Sequence, residues 1–248
     1  LSPQLLERVY SFLDWDGWSG ERVVLRPDCT IPAARFYSEH RDGGLAKLCY
    51  VQNIFRFAQG DQPRELWQCG AEIYGPSWPA GDVELVCAAR RVLQRLGIAD
   101  VRVRLSHTGV LRALLARAGF SAEEQVERYD RILDGDLSAV REIEERLPEL
   151  GAPLHLLVDL TGTDIGYLEN IRAAFTGAVP DMGPSLDELA LVARALAVLD
   201  CPFEIVMPLA RDFEYYTGPV FRFVAADGTA LGGGGRYDAL VRRPSGES

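Results

Sequence analysis

Charged and aromatic residues with the chemistry to bind a small zwitterion are concentrated near the C-terminal end of the sequence. Arg211, Glu214, Tyr215 and Tyr216 stand close together, and Arg236 follows a run of four glycines. Arginine suits a carboxylate or a phosphate through paired hydrogen bonds. Glycine lacks a Cβ and lets a backbone approach a ligand closely. We therefore predict a small-molecule site in this stretch, against a sheet.

Further polar clusters lie in the N-terminal half of the chain. Asp28 and Thr30 occupy a predicted strand-to-helix junction, and Arg56 lies on a predicted strand that leads into a loop. Gln68 and Glu72 are four residues apart on an alternating segment, where an even spacing places side chains on one face of a strand. Carboxylates suit an ammonium or imidazole donor, so the combined set fits an amino acid. The sequence contains no Walker loop, no Gly-x-Ser-x-Gly and no His-Glu-x-x-His motif.

Each cluster also has a purely structural interpretation. Gln68 and Glu72 would then form the solvent face of a strand, and Arg56 would be a surface cation. Asp28 would only cap the turn that follows it, and the glycine run would be a flexible loop tip.

Three other polar residues are interpreted structurally from the start. His107 stands at the end of a predicted strand, where a supporting role is expected. Asp82 and Glu84 fall in the first turn of a predicted helix, where negative charge is favourable.

The elements that must position these residues alternate between strands and helices. Strands are predicted at 9–15, 22–25, 47–57, 65–74, 101–105, 203–208, 215–224 and a run ending at 231. Helices are predicted at 30–40, 82–96 and 110–118, and helical character dominates 122–150, 164–175 and 186–199. The segments 47–57 and 65–74 should pair as an antiparallel hairpin, and Asp227-Gly228 marks a second hairpin turn. This order predicts an α+β fold in which a helical insertion interrupts a mixed sheet.

Composition narrows the class of protein. The chain has 26 basic and 36 acidic residues and a formal net charge of −10, which disfavours nucleic-acid binding by this chain alone. Five cysteines form no Cys-x-x-Cys pair and only three histidines are present, which indicates reduced thiols and no metal site. No apolar run reaches about 18 residues and no signal peptide is recognisable, so we expect a cytoplasmic protein without membrane association.

Several segments, taken in order, resemble the catalytic core of histidyl-tRNA synthetase and equally its paralogue, the regulatory subunit of ATP phosphoribosyltransferase. They are LRPDCT (25–30), NIFRF (53–57), RELWQCGAEIYG (64–75), DVELV (82–86), LSHTGVLRALL (105–115), EYYTGPVF (214–221) and GGRYDALV (234–241). The resemblance implies an antiparallel sheet flanked by helices, as in class II aminoacyl-tRNA synthetases, with the motif-2 hairpin at about 47–75. We expect a core of 1–119 and 201–241, a helical insertion at 120–200 that continues into the core, and a disordered tail at 242–248.

The resemblance also implies roles for residues that match the family's motifs. Arg56 matches the arginine that holds the ATP α-phosphate and the amino acid carboxylate, and Arg211 matches the histidine-specific arginine. Gln68 and Glu72 match the pair that binds the histidine ammonium. The histidine-binding residues expected in this way are Asp28, Thr30, Arg56, Gln68, Glu72, Arg211, Tyr215 and Tyr216.

Departures from the synthetase pattern favour the regulatory paralogue. The sequence Asp28-Cys29-Thr30 stands where the synthetase usually has Glu-Gly-Thr, and Ala58 replaces the glutamate that follows the motif-2 arginine and binds adenine. Glu214 replaces the aspartate expected before the two tyrosines. These differences leave the amino acid pocket complete and alter the adenine position.

Two functional hypotheses follow from the resemblance. The favoured one is a histidine-binding, non-aminoacylating regulatory subunit of ATP phosphoribosyltransferase in histidine biosynthesis, with no catalytic residue and no cofactor. Its partners would be L-histidine, the catalytic subunit and a second copy in a homodimer. The alternative is a histidine–tRNA ligase, with Arg56 and Arg211 as catalytic residues, ATP and Mg²⁺ as cofactors and tRNA as a partner.

Overall fold

The computed structural model describes residues 9–13, 21–40, 43–57, 60–75, 78–98, 100–209 and 216–241. The chain divides into two compact units, Leu1–Pro76 with Leu240–Ser248 and Ser77–Ala239. Several predictions fall outside the described residues, namely those on Ala58, Arg211, Glu214, Tyr215 and the tail 242–248.

The first unit is built around a long antiparallel hairpin. Its described elements are β1 (Ser11–Leu13), β2 (Arg22–Val24), α1 (Thr30–His40), β3 (Ala46–Phe55) and β4 (Glu65–Tyr74). β1 pairs with β2, and β3 pairs with β4 along the full ten residues of each strand, which confirms the predicted hairpin. Tyr37 of α1 stacks on Tyr74 of β4, with ring centroids 4.4 Å apart. This buried aromatic pair fixes the helix against the end of the hairpin.

The second unit combines a sheet with a set of helices. Its described helices are α2 (Ala80–Arg95), α3 (Thr108–Arg117), α4 (Ala122–Leu133), α5 (Leu137–Arg146), α6 (Gly151–Val158), α7 (Ile165–Phe175) and α8 (Gly183–Val198). Its described strands are β5 (Arg102–His107), β6 (Phe203–Ile205), β7 (Pro219–Val224) and β8 (Ala230–Gly235). The strand order in the sheet is β6-β5-β7-β8.

Strand directions in this sheet are mixed. β7–β8 is antiparallel, as predicted for this hairpin, and β5–β7 is also antiparallel, whereas β5 and β6 run parallel. A parallel pair needs a long crossover, and the helices α3 to α8 supply it. The hairpin predicted around Asp227-Gly228 is present, although β7 begins at Pro219 rather than at residue 215.

The helical middle of the chain and the sheet share one hydrophobic core. Leu105 of β5, Leu114 of α3, Ile171 of α7 and Leu189 of α8 are all buried within one cluster. Helix starts in this region follow from the sequence, since Ser121 and Glu124 form a reciprocal capping box at the start of α4. Every helix in the described ranges is too short or too polar to cross a membrane.

Candidate functional site

The predicted site residues of the first unit meet around the turn that leads into α1. Asp28 Oδ1 accepts hydrogen bonds from the backbone N–H groups of Thr30 at 2.7 Å and Ile31 at 3.2 Å. These donors belong to the start of the helix, where N–H groups lack intrahelical partners. The structural interpretation of Asp28 as a cap is therefore correct. It leaves Oδ2 directed to the hairpin, 3.5 Å from Gln68 Nε2.

Residues from both sides of the β3–β4 hairpin form hydrogen bonds to the turn that precedes α1. Gln68 Oε1 on β4 accepts a hydrogen bond from the Cys29 N–H at 2.8 Å. Just beyond β3, Arg56 Nε donates to the Pro27 carbonyl at 2.8 Å. Arg56 is thus a half-buried residue bound to the turn, and its interpretation as an unattached surface cation is wrong.

Glu72 is the most deeply buried carboxylate of this cluster. Its side chain lies on the same face of β4 as Gln68, as the even spacing predicts, and the residue is only 6% exposed. Its Oε1 accepts a hydrogen bond from the Tyr50 hydroxyl at 3.1 Å. The Tyr50 hydroxyl also lies 3.4 Å from Thr30 Oγ1, which connects Glu72 to the start of α1. The solvent-face interpretation is therefore wrong for Glu72.

Tyr50 is a site residue that sequence reasoning missed. Tyr50 stands directly opposite Gly70 in the hairpin register, and a Cβ on Gly70 would overlap the tyrosine ring. The space that the missing side chain leaves above Gly70 is thus filled by the ring of Tyr50. Counting back from the hairpin turn would have paired the two residues, because cross-strand neighbours on one face lie close together.

Charges of both signs converge on the Cys29 thiol. Burial raises the pKa of this thiol above its ordinary value. The guanidinium groups of Arg26 and Arg56 oppose that rise, while the carboxylates of Asp28 and Glu72 add to it. Two cationic and two anionic groups therefore influence the ionisation of this buried thiol in opposite directions.

The same carboxylates act on Tyr50. Its phenol pKa is raised far above the ordinary value, chiefly by burial, and the negative charges of Glu72 and Asp28 raise it further. Tyr50 consequently keeps its proton at neutral pH and acts as a donor to Glu72.

In the second unit, Arg236 is engaged by protein carboxylates. Its Nη2 lies 2.6 Å from Asp82 Oδ2, and its Nη1 lies 2.7 Å from Glu188 Oε2. The prediction that Arg236 lies beside a small-molecule site stays a prediction, and in the structure this arginine belongs to a largely buried ion-pair network. Asp82 is in the first turn of α2, as expected, but its main partner is this arginine rather than the helix terminus.

His107 joins the same network and also caps a helix. Its Nδ1 accepts from the Gly109 N–H at 3.1 Å, so the ring proton is on Nε2, which lies 3.4 Å from Glu188 Oε2. Burial lowers the pKa of His107, and the neighbouring Glu188 carboxylate partly opposes this effect. The structural interpretation of His107 at the end of β5 agrees with these contacts.

The glycine run forms strand β8 and is not a loop tip. Because a Cβ on Gly233 would lie 2.7 Å from the Phe221 carbonyl, glycine permits close pairing with β7. A Cβ on Gly235 would lie 2.8 Å from the Tyr216 ring. The close approach that the sequence suggested is thus made by the protein's own atoms. The Tyr216 carbonyl also accepts a hydrogen bond from Arg112 at 3.2 Å.

The structure therefore brings together part of the predicted site. The residues that meet in the first unit are Asp28, Thr30, Arg56, Gln68 and Glu72. Tyr216 belongs to the second unit, and Arg211 and Tyr215 lie outside the described residues. Within the described ranges, no three His, Cys, Asp or Glu side chains converge as metal ligands.

Comparison with known proteins identifies relatives over nearly the whole chain. Residues 2–248 match the histidyl-tRNA synthetase family. An ATP phosphoribosyltransferase regulatory subunit from Dehalococcoides mccartyi is 45% identical over 243 residues, which are 97% of this chain and 59% of that protein. The chain thus spans less than two thirds of the length of this relative.

Solved structures agree with this relationship. A structure from Bacillus halodurans, described as an ATP phosphoribosyltransferase regulatory subunit/histidyl-tRNA synthetase, has a TM-score of 0.81 and 25% identity. The matched region makes up 94% of this chain and 62% of the Bacillus halodurans protein. A structure of an ATP phosphoribosyl transferase (HisG:HisZ) complex from Thermotoga maritima also matches, with a TM-score of 0.68. The matched region makes up 92% of this chain and 80% of the matched chain in that complex. At 17% identity, that second likeness bears on the fold alone. The predicted α+β fold of class II synthetase type is confirmed.

Proposed function

This chain belongs to the histidyl-tRNA synthetase family, and from that premise we propose that it is a histidine-binding regulatory subunit of ATP phosphoribosyltransferase. The observation that carries the proposal is 45% identity, over 97% of the chain, to a protein of that name. The chain spans 59% of that relative, so the function of the whole protein is part of the proposal. We further propose that the protein is cytoplasmic, forms a homodimer, needs no cofactor and regulates histidine biosynthesis.

The site of the first unit has the chemistry to recognise histidine. The buried Glu72 and the half-buried Asp28 supply negative charge for the ammonium and imidazole N–H groups of histidine. The Gln68 side-chain amide lies beside Asp28. Arg56 supplies a guanidinium for the carboxylate, through paired hydrogen bonds of the kind that arginine forms best. Arg211, Tyr215 and Tyr216 stay sequence-based predictions for the same ligand.

The turn before α1 gives this site a fixed geometry. Asp28 is held by two backbone N–H groups, and Gln68 is held by the Cys29 N–H. Side chains that are already positioned lose less conformational freedom when a ligand binds. Histidine would therefore meet a preorganised set of charges in the first unit.

Regulation by histidine requires a partner whose activity changes. The Thermotoga maritima protein of the same fold is described as part of an ATP phosphoribosyl transferase complex. We propose that this chain, likewise, binds a catalytic ATP phosphoribosyltransferase subunit. Feedback inhibition then requires that histidine bind more tightly to one conformation of the complex than to another.

A histidine–tRNA ligase is the second candidate, and Arg56 is the observation that favours it. Its guanidinium, fixed to the Pro27 carbonyl, matches the motif-2 arginine that would also hold the ATP α-phosphate. This function would need ATP with Mg²⁺, tRNA and catalytic roles for Arg56 and Arg211. Ala58 at the adenine position argues against it.

The decisive experiment measures histidine binding and histidine activation on the same preparation of the full-length protein. Calorimetry should detect histidine binding, and ATP–pyrophosphate exchange with histidine and Mg²⁺ should be absent. Clear exchange would show that the site makes histidyl-adenylate, and the ligase function would then replace the regulatory one. Absence of histidine binding at millimolar concentration would contradict both.

A matched pair of variants assigns the binding to the site described above. Glu72→Gln removes the buried charge, whereas Glu65→Gln makes the same change at an exposed position of the same strand. Hydrogen bonds to charged groups contribute roughly 1.5–3 kcal/mol, so Glu72→Gln should weaken histidine binding about tenfold or more. Glu65→Gln should bind like the wild type.

A further inference from the structure

The backbone around Tyr216 is held by hydrogen bonds from the start of α3. Thr108 is the first residue of that helix, and its N–H donates to the Gly218 carbonyl at 3.3 Å. The Thr108 hydroxyl lies 3.3 Å from the carbonyl oxygens of both Tyr216 and Gly218 and donates to either. One turn further along α3, Arg112 Nη2 donates to the same Tyr216 carbonyl at 3.2 Å. One helix therefore supplies a neutral and a cationic donor to this carbonyl.

The two side chains share one face of α3. Thr108 and Arg112 are four residues apart, a spacing that makes side chains neighbours on the surface of a helix. Thr108 is 1% exposed, and Arg112 is half-buried. Burial removes hydration from a guanidinium, so the lost hydrogen bonds must be replaced within the protein. The bond from Arg112 is charge-assisted, and such bonds are roughly twice as strong as neutral ones. Arg112 is thus suited to fix the Tyr216 carbonyl in place.

Strand β8 and the residues after it hold the same segment. The Thr217 N–H donates to the Arg236 carbonyl at 2.8 Å, and Thr217 Oγ1 accepts from the Asp238 N–H at 3.1 Å. The Tyr216 ring lies against β8, where a Cβ on Gly235 would be 2.8 Å from a ring carbon. Both the backbone and the ring of Tyr216 are therefore held by residues of the second unit.

We propose that Arg112 and Thr108 are positioning residues for histidine recognition and that they act through Tyr216. This inference rests on the proposed function, in which Tyr216 is one of the histidine-binding residues. A residue whose backbone is already fixed loses less conformational freedom when a ligand binds. Neither Arg112 nor Thr108 has to contact histidine itself. Without its donors the Tyr216 carbonyl is free to move, and the tyrosine ring would meet the ligand in a less favourable position.

The test compares three variants of the full-length protein by calorimetry with L-histidine. Arg112→Met removes the donor and should weaken histidine binding about tenfold, which corresponds to about 1.4 kcal/mol. Arg112→Lys keeps a cationic donor and should recover most of this loss. Arg117→Met is the matched control, because Arg117 also lies on α3 and donates to a backbone carbonyl, that of Ala178, at 2.9 Å. This control should bind histidine like the wild type.

A second pair of variants removes the neutral donor. Thr108→Val keeps the branched shape but loses the hydroxyl group, whereas Thr108→Ser keeps the hydroxyl group. Thr108→Val should weaken histidine binding, and Thr108→Ser should not. Urea unfolding of every variant separates loss of affinity from loss of stability. This pair decides the question even if Arg112→Met does not fold.

The wild-type titration separates failure of this inference from failure of the proposed function. If the wild type does not bind histidine at millimolar concentration, the proposed function fails and this inference fails with it. If the wild type binds and the variants without a donor bind equally well, only the positioning role is overturned. The same conclusion follows if Arg112→Lys and Thr108→Ser recover no affinity, because the donor groups would then have no influence on histidine.

Discussion

The ring of Tyr50 lies directly across Gly70 and fills the space that a side chain at that position would need. In this position the Tyr50 hydroxyl, on β3, donates a 3.1 Å hydrogen bond to Glu72, which lies two residues after Gly70 on β4. A glycine in the middle of a strand weakens the strand, so its presence needs a reason. Here Gly70 leaves room for the ring of Tyr50, and the Tyr50 hydroxyl holds the buried carboxylate of Glu72 in place.

Gly70→Ala should therefore impair histidine binding. The added methyl group displaces the Tyr50 ring and breaks its hydrogen bond to Glu72, and crowding of this kind costs about 1–3 kcal/mol. We expect histidine affinity to fall about tenfold and the urea midpoint to decrease. Gly232→Ala is the control, since Gly232 is also in a strand and a Cβ there would meet nothing within 4 Å. Equal behaviour of the two variants would contradict the role of Gly70.

Tyr50→Phe tests the hydroxyl group alone. The ring still covers Gly70, but Glu72 loses the hydrogen bond from the Tyr50 hydroxyl, and a hydrogen bond to a charged group contributes about 1.5–3 kcal/mol. We expect weaker histidine binding by calorimetry with little change in the fold by circular dichroism. Tyr10→Phe is the matched control, because the Tyr10 hydroxyl is buried and makes no hydrogen bond to the described residues. Unchanged histidine affinity in Tyr50→Phe would show that Glu72 does not depend on this donor.

Sequence patterns predicted the elements of the first unit well because the signals there are local. Alternation and turn residues located the β3–β4 hairpin, and the even spacing of Gln68 and Glu72 placed them on one face. The helix predicted at 30–40 also has the predicted bounds in the structure.

Contacts between distant segments could not be predicted in this way. The pairing of Arg236 with Asp82 joins residues 154 positions apart, and nothing local at either residue indicates the other. Glycines near Arg236 suggested a ligand, but the atoms that approach them belong to β7 and Tyr216. The parallel β5–β6 pair was missed because it depends on how the helical crossover returns to the sheet.

His107 should make stability depend on pH near neutrality. Burial lowers its folded-state pKa below the ordinary value of 6.5, so on acidification the unfolded chain binds this proton before the folded protein does. The stability contributed by neutral His107 is therefore complete above about pH 6.5 and is lost as the pH falls below it. Protonation of Nδ1 would also remove the acceptor for the Gly109 N–H.

His107→Asn keeps a good capping side chain but cannot titrate. Urea unfolding at pH 7.5 and pH 5.5 should show a smaller loss of stability on acidification in this variant than in the wild type. His155→Asn is the control, because Asp159 raises the pKa of the exposed His155. A raised pKa means that His155 adds to stability at low pH, so its replacement should not reduce the loss of stability on acidification. If the wild type and His107→Asn lose equal stability, His107 does not titrate differently in the two states.

Asp82→Asn should destabilise the second unit more than a comparable change at an exposed ion pair. Arg236 and Asp82 are largely buried, with side chains 16% and 13% exposed, and Asn removes one of the two carboxylates that pair with the guanidinium among the described residues. Removing one partner of a buried pair costs about 3–5 kcal/mol, and partial exposure reduces the expected loss to about 2–3 kcal/mol. Asp187→Asn breaks an ion pair with Arg172 in which Asp187 is 64% exposed, so it should cost at most about 1 kcal/mol. Urea unfolding of both variants measures the difference, and equal midpoints would show that the Arg236 network adds no more to stability than a solvent-exposed pair.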